Sequence, residues 1–175
     1  MRDEGQCGVV MDQQFEARRA FGDLLAMYDL RSADGPELVS AAAQLLVAGI
    51  DGPAVIELAS EVVTPLTSPF EIDALVGSAR DELGMPKLDL DATAGRAASG
   101  QLRRWRSGLL TDREIARWAH KAIGHDGSES LQDLVVLDDM LDEMEWIDAT
   151  PESIHAELEA IATADLAYPD PWAAE

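Results

Sequence analysis

Residues 103–146 decide the fold, and they read RRWRSGLLTDREIARWAHKAIGHDGSESLQDLVVLDDMLDEMEW. A short basic run leads into a turn, and a segment dense in carboxylates follows it. Between them, Thr111 and Glu114 have the spacing of a capping box, in which each side chain accepts a hydrogen bond from the other residue's backbone N–H. The sequence therefore predicts that a helix begins at Thr111.

The helix that follows Thr111 has two faces of different chemistry. Apolar residues recur at the spacing of an amphipathic helix, and basic residues fall together on another side. These residues are Ile115, Trp118, Ala119 and Ala122 on the apolar face, and Arg113, Arg117, His120 and Lys121 on the basic face. The pattern predicts a helix with one buried face and one basic, solvent-facing side.

A turn and a second helix are predicted next. Gly124 is placed to adopt the left-handed conformation just past a helix end, and Ser128 or Ser130 could cap the following helix. That helix is predicted at residues 131–145, with a buried stripe of Leu134, Leu137, Leu141 and Met144. Because two helices joined by a short turn pack antiparallel, we expect a hairpin.

The second helix of this hairpin carries a cluster of four carboxylates, Asp138, Asp139, Asp142 and Glu143. Like charges at i, i+4 each cost about 0.2–0.5 kcal/mol in an isolated helix, so a cation is expected nearby. Three interpretations remain open. The cluster could pair with the basic face of the preceding helix, face a partner, or contribute to a divalent-metal site.

Histidines are the first candidates for catalysis, and the chain has His120, His125 and His155. None belongs to a recognised metal-binding or nucleophilic motif. A hairpin would bring His120 or His125 near Asp138 or Asp139, which is the geometry of a His/carboxylate site. We nevertheless predict no catalytic residues, no resident metal and no cofactor, because helical metal sites of this kind usually recruit a Glu-x-x-His pattern that the sequence lacks.

The whole chain is predicted to be all-α, a compact bundle of about seven or eight short helices with disordered or extended termini. No segment alternates convincingly between apolar and polar residues, as a half-buried strand would. Ser68 and Glu71 form a second capping box. We predict a flexible tail at residues 1–11, helical parts at 12–86 and 91–167 that share one core, and an extended tail at 168–175.

Composition points to a cytoplasmic protein. Apolar residues make up 47% of the chain, which is typical of a globular protein, and a single cysteine, Cys7, excludes an intrachain disulfide framework. The first residues lack the basic start and apolar run of a signal peptide, and no apolar run is long enough to span a membrane. Eleven arginines against two lysines suggest a GC-rich bacterial gene.

Charge is the strongest functional signal. Thirty-four acidic residues against thirteen basic ones give a net charge of −21. Seven of the thirteen lie within residues 96–121, and after Lys121 there are fifteen Asp and Glu and no Lys or Arg. Such a chain does not bind nucleic acid or an anionic membrane through a general basic footprint. A protein partner with a basic surface is the expected ligand.

The sequence therefore predicts a non-enzymatic, acidic protein-interaction module. The predicted partner-binding residues are Asp138, Asp139, Asp142, Glu143 and Trp172; the last could instead pack on the protein itself. Small acidic helical proteins of this kind are often immunity proteins or inhibitors that cover a basic surface, an analogy at the level of fold and charge alone. The alternatives are a metal-dependent enzyme or metal-binding module built on the His/carboxylate cluster, and a structural homo-oligomer.

Overall fold

The computed structural model describes residues 4–144, 149–165 and 172, and this part of the chain is all-helical, as predicted. No helix within it combines the length and the apolar composition needed to cross a membrane. The described residues form eight α-helices and one short 3₁₀ helix and contain no strand. They are α1 (Glu4–Asp29), α2 (Gly35–Val47), α3 (Pro53–Ala59), α4 (Pro69–Leu83), α5 (Leu90–Arg106), α6 (Asp112–Ala122), the 3₁₀ helix (Glu129–Leu131), α7 (Gln132–Asp142) and α8 (Pro151–Asp165).

The chain divides into two compact units. The first unit contains α1 as far as Tyr28, α2, α3, α4 and Trp172, and the second contains the segment from Asp29 to Ser32 and helices α5 to α8. The division between the units falls between Lys87 and Leu88. The single core predicted for the two parts, and the flexibility predicted for residues 1–11, stay predictions. Apart from Trp172, the predicted tail at residues 168–175 lies outside the described residues.

Apolar side chains from four helices form the core of the first unit. α3 packs on α2 and on α4. Two arginines tie α1 to α4: Arg18 donates to the carbonyl of Leu83 at 2.7 Å, and Arg80, itself buried, donates to the carbonyl of Leu25 at 3.2 Å. The largest fully buried side chains here are Phe21, Leu25, Met27, Leu38, Leu45, Leu58 and Met85.

Local capping chemistry sets several helix ends where the sequence predicts them. The capping box of Ser68 and Glu71 opens α4, and Gly84 ends it in the left-handed conformation with φ of 64°. A further capping box, not predicted, opens α2, where Glu37 N donates to Asp34 Oδ1 at 3.0 Å and Asp34 N donates to Glu37 at 3.1 Å. Short-range hydrogen bonding therefore decides where these helices start.

Other helix boundaries differ from the predictions. α1 begins at Glu4, eight residues before the predicted start, across a stretch whose glycines, Gly5 and Gly8, lower its helix propensity. The sequence predicts a helix from Pro53 to Val63, but α3 ends at Ala59. It also predicts Asp91 as a helix cap, but α5 begins after Asp89, because the Asp89 carboxylate accepts from Ala92 N at 2.8 Å.

The start of α3 is capped by a side chain from another helix. Its N-cap residue is Gly52, which has no side chain to accept a hydrogen bond. Glu82 of α4 takes that place, because its carboxylate accepts from Ala54 N at 2.9 Å and from Val55 N at 3.2 Å. A Cβ on Gly52 would lie 2.0 Å from Glu82 Oε1, so the contact requires glycine at this position.

We predict that Gly52→Ala lowers the free energy of unfolding by about 0.5–2 kcal/mol, the usual cost of losing a helix N-cap. The new methyl group displaces the Glu82 carboxylate from the N–H groups of α3. Gly77→Ala is the matched control, because nothing lies within 4 Å of the added Cβ in the middle of α4. That substitution should instead raise the free energy of unfolding by about 0.5–1 kcal/mol. Urea unfolding of both variants measures the difference, and equal stability of Gly52→Ala and the wild type would contradict it.

The second unit has its own apolar core, to which α5, α6, α7 and α8 all contribute. Of the predicted apolar faces of the hairpin, Ile115, Ala119, Leu134 and Leu137 lie in it. Trp118, Leu141 and Met144 are partly buried against it, and Ala122 is not part of it. Small residues on α5 allow close helix packing. The core consists of Ala94, Ala98, Leu102, Trp105, Ile115, Ala116, Ala119, Leu131, Leu134, Val135, Leu137, Ile154, Leu158 and Ala162.

Helices α6 and α7 form the predicted antiparallel hairpin. Arg113 at the start of α6 contacts Asp142 at the end of α7, whereas Gln132 at the start of α7 contacts Gly124 just after α6. Gly124 has φ of 69°, the left-handed conformation predicted for it. Neither serine caps α7; the Gln132 amide instead donates to three carbonyls of the turn, those of Gly124, Gly127 and Ser128.

We predict that Leu134→Ala costs about 2–5 kcal/mol of stability, because Leu134 is fully buried between the helices of the second unit. Val136→Ala on the same helix is the control. Val136 is 41% exposed, so this change should cost less than about 1 kcal/mol. Denaturant unfolding followed by circular dichroism measures both values, and a larger loss for Val136→Ala would mean that the buried face of α7 is misassigned.

Candidate functional site

The α6–α7 hairpin brings together His120, His125, Asp138 and Asp139, which we call the His/Asp cluster. His120 lies in the last turn of α6, and His125 follows the left-handed residue Gly124, where the chain reverses direction. Asp138 and Asp139 lie on α7, which packs against α6. The cluster therefore results from the helix pairing and the turn together.

Asp139 lies between the two imidazoles. Its Oδ1 is 3.4 Å from His120 Nδ1, and its Oδ2 is 3.3 Å from His125 Nε2. Asp138 Oδ2 is also 3.4 Å from His120 Nδ1. The two rings meet edge to face, with their centroids 5.0 Å apart. One ligand atom from each of His120, His125 and Asp139 thus lies within 4.8 Å of the other two.

The cluster is buried on one side and open on the other. The Asp138 side chain is 14% exposed and the His125 side chain 52% exposed. Two of the inner atoms, His120 Nδ1 and Asp138 Oδ1, are closed to solvent and have no hydrogen-bond partner. Buried polar atoms without a partner are uncommon in proteins, so these two indicate an unmet interaction.

Asp142 pairs with α6 at the far end of the hairpin. The Arg113 guanidinium donates to Asp142 Oδ1 at 2.6 Å and to the carbonyl of Leu141 at 2.9 Å. The hydrogen bond from Arg113, aided by its charge and those of Arg117 and His120, holds the pKa of the Asp142 carboxyl below its ordinary value, against the opposing effect of burial. Intramolecular pairing, one of the three predicted roles of the carboxylate cluster, therefore occurs at Asp142.

We predict that Arg113→Ala raises the pKa of Asp142 toward its ordinary value of 3.8. In the wild type the depressed pKa contributes stability above that value, and this contribution is lost as the pH falls through the folded-state pKa. The variant should therefore lose less stability over the same acid range. Carboxyl NMR titration measures the pKa.

Arg106→Ala is the control, because it removes a partner of Glu159 instead. It should leave the pKa of Asp142 unchanged. A pKa of Asp142 that Arg113→Ala does not change would contradict the assignment.

The predicted partner-binding residues fall into both units. Asp138, Asp139 and Asp142 lie on α7 and Glu143 directly follows it, all in the second unit. Trp172 belongs to the first unit, where it is 9% exposed and its Nε1 donates to the carbonyl of Pro86 at 3.2 Å. The ring thus packs on the protein itself, and its contribution to partner binding stays a prediction.

A second histidine–carboxylate contact was not predicted. His155 Nδ1 on α8 lies 3.2 and 3.1 Å from the two oxygens of Asp112 on α6, and Trp105 Nε1 donates to the same carboxylate at 2.7 Å. Asp112 thereby orients the imidazole, as the carboxylate does in many general bases. Asp112 and His155 are forty-three residues apart in the sequence, and only the packing of α8 brings them together.

The chain matches no protein-family model, and comparison with curated proteins and with solved structures finds no match. Its function is therefore inferred from the chemistry of its own residues. Two features of the second unit carry that chemistry: the excess of acidic side chains and the His/Asp cluster.

Proposed function

We propose that the protein is a non-enzymatic interaction module whose second unit binds a protein partner with a cationic surface. The observation that supports this proposal is a set of acidic side chains exposed on the turn before α7 and on α7 and α8. We call this set the acidic surface, and it consists of Asp126, Glu129, Asp133, Glu143, Glu152, Glu157 and Glu159.

Internal ion pairs leave much of this charge uncompensated. Arg113 pairs with Asp142, and Arg106 pairs with Glu159 at 2.9 Å. Residues 88–171 nevertheless contain eighteen Asp and Glu against seven Lys and Arg, a net charge of −11. Because no lysine or arginine follows Lys121, the basic residues available for pairing come from α5 and α6. The carboxylates of α8 consequently face solvent with few cations close by in the sequence.

An uncompensated charge of this size favours one class of partner. It attracts cationic surfaces over roughly a Debye length, about 8–10 Å at physiological salt, and accelerates their association. It repels nucleic acid and anionic membranes. An immunity or inhibitor protein that covers a basic toxin surface must attract a cationic partner in this way. We propose this class by analogy in charge and size.

The test measures the association rate of a partner recovered by pull-down. The second-unit variant removes four exposed charges through Asp133→Asn, Glu143→Gln, Glu152→Gln and Glu157→Gln. The control removes four exposed charges from the first unit through Asp12→Asn, Asp51→Asn, Glu57→Gln and Asp81→Asn. We expect the second-unit variant to slow association by about tenfold or more at low salt, the control to have a small effect, and added salt to reduce the difference.

A third variant tests the site predicted from the sequence, by neutralising Asp138, Asp139, Asp142 and Glu143 together. If this variant and the second-unit variant both bind as fast as the wild type, charge steering by this unit is wrong. Binding that is equally tight at low and high ionic strength would also contradict charge steering by this unit.

A further inference from the structure

The distances in the His/Asp cluster are too long for strong hydrogen bonds and suit a metal ion. Charge-assisted N–H···O bonds are typically about 2.7–2.9 Å long. The three nitrogen–oxygen separations here are 3.3–3.4 Å. In a tetrahedral zinc site, with bonds of about 2.0–2.1 Å to nitrogen and oxygen, neighbouring ligand atoms are about 3.3–3.4 Å apart. The side chains already have the spacing of ligands around an ion.

Three side chains come close enough together to share one ion. His120, His125 and Asp139 each offer one ligand atom, and these atoms all lie within 4.8 Å of one another. Asp138 adds a carboxylate oxygen 3.4 Å from His120 Nδ1. Three donors, one each from α6, the turn and α7, can therefore surround one point, which a chance surface pair of histidine and aspartate cannot do.

The buried atoms without partners give independent support. His120 Nδ1 and Asp138 Oδ1 are closed to solvent and make no hydrogen bond. Leaving such atoms unsatisfied costs about 1–3 kcal/mol each. A cation bound at His120 Nδ1 would satisfy the lone pair of that nitrogen and would also lie close to the negative charge of Asp138. The inner side of the cluster thus lacks the partner that a metal ion supplies.

We propose that the α6–α7 hairpin binds one divalent transition-metal ion through His120, His125 and Asp139. Imidazole with carboxylate suits zinc, copper, nickel, cobalt and ferrous iron, and the tetrahedral spacing selects zinc among them, whereas magnesium and calcium prefer sites made only of oxygen. His120 binds through Nδ1 and His125 through Nε2, the nitrogens that face the carboxylates. The exposure of His125 gives the ion a path from solvent.

The fold holds these ligands in place before the ion binds. The helices that carry His120, Asp138 and Asp139 are fixed by the apolar core of the second unit. The turn that carries His125 is held by the Gln132 amide, which donates to the carbonyl of Gly124 at 3.1 Å. A site built on packed helices orders few groups on binding, so little of the binding free energy is spent on folding.

The experiment is a calorimetric titration of the full chain, stripped with a chelator, with ZnCl₂ at neutral pH. We expect one saturable zinc site per chain, and at least a tenfold loss of affinity in His120→Ala, His125→Ala and Asp139→Asn. His155→Ala and Asp133→Asn are the matched controls, because they remove an imidazole and a carboxylate from the same unit outside the cluster. Both should bind zinc within about twofold of the wild type.

Three results would overturn the proposal: no saturable zinc binding, zinc binding unchanged in all three cluster variants, or magnesium binding as tightly as zinc, which would indicate adsorption to the acidic surface.

Circular dichroism of the metal-free variants controls for folding. His125→Ala and Asp139→Asn alter half-exposed side chains, so they keep the test valid if His120→Ala fails to fold. The Co²⁺ absorption spectrum reports independently on the ligands. Partner binding plays no part in these measurements, so this proposal and the interaction proposal can fail separately.

Discussion

The packing of α6 against α7 is the constraint on which the rest of the second unit depends. Ile115 on α6 and Leu134 and Leu137 on α7 are almost completely buried, and burying a side chain of this size contributes about 1.5–3 kcal/mol. An exposed ion pair such as that of Arg113 with Asp142 contributes about 0–1 kcal/mol. The apolar contacts therefore decide how the helices pair, and the charged groups meet where that pairing places them.

Because apolar contacts decide the pairing and the charged groups follow from it, the sequence predicts the features that depend on neighbouring residues best. Capping boxes such as Thr111 with Glu114 are local, and the structure shows both of its hydrogen bonds, from Thr111 N at 2.8 Å and from Glu114 N at 3.3 Å. The backbone bond from Thr111 and the bond from its hydroxyl also hold the pKa of Glu114 below its ordinary value. Once two helix starts and a short turn were recognised, the hairpin and the meeting of its histidines with Asp138 and Asp139 followed from geometry.

Interactions between distant elements were not predictable in the same way. The cap that Glu82 provides for α3 joins residues twenty-eight positions apart, and nothing in the local sequence of either helix signals it. The contact of His155 with Asp112 depends on how α8 crosses α6. The distances within the His/Asp cluster belong to the same class, because they depend on the rotamers of its four side chains. Sequence periodicity therefore predicts the helices and the meeting of these residues, but not the distances between their atoms.

The two proposals use different carboxylates, but both involve the hairpin. Binding of an ion and binding of a partner could therefore each change the affinity for the other, which is thermodynamic linkage. A divalent ion in the His/Asp cluster would neutralise Asp138 and Asp139, whereas the acidic surface on α8 would keep its charge. Screening confines the effect of the ion to roughly a Debye length, about 8–10 Å at physiological salt. A cationic partner bound over Asp138 and Asp139 would therefore compete with the ion, whereas one bound farther than this from the cluster would be almost insensitive to it. Because linkage is reciprocal, the effect of the partner on zinc affinity must equal the effect of zinc on partner affinity, so the size of that coupling would show which part of the second unit the partner covers.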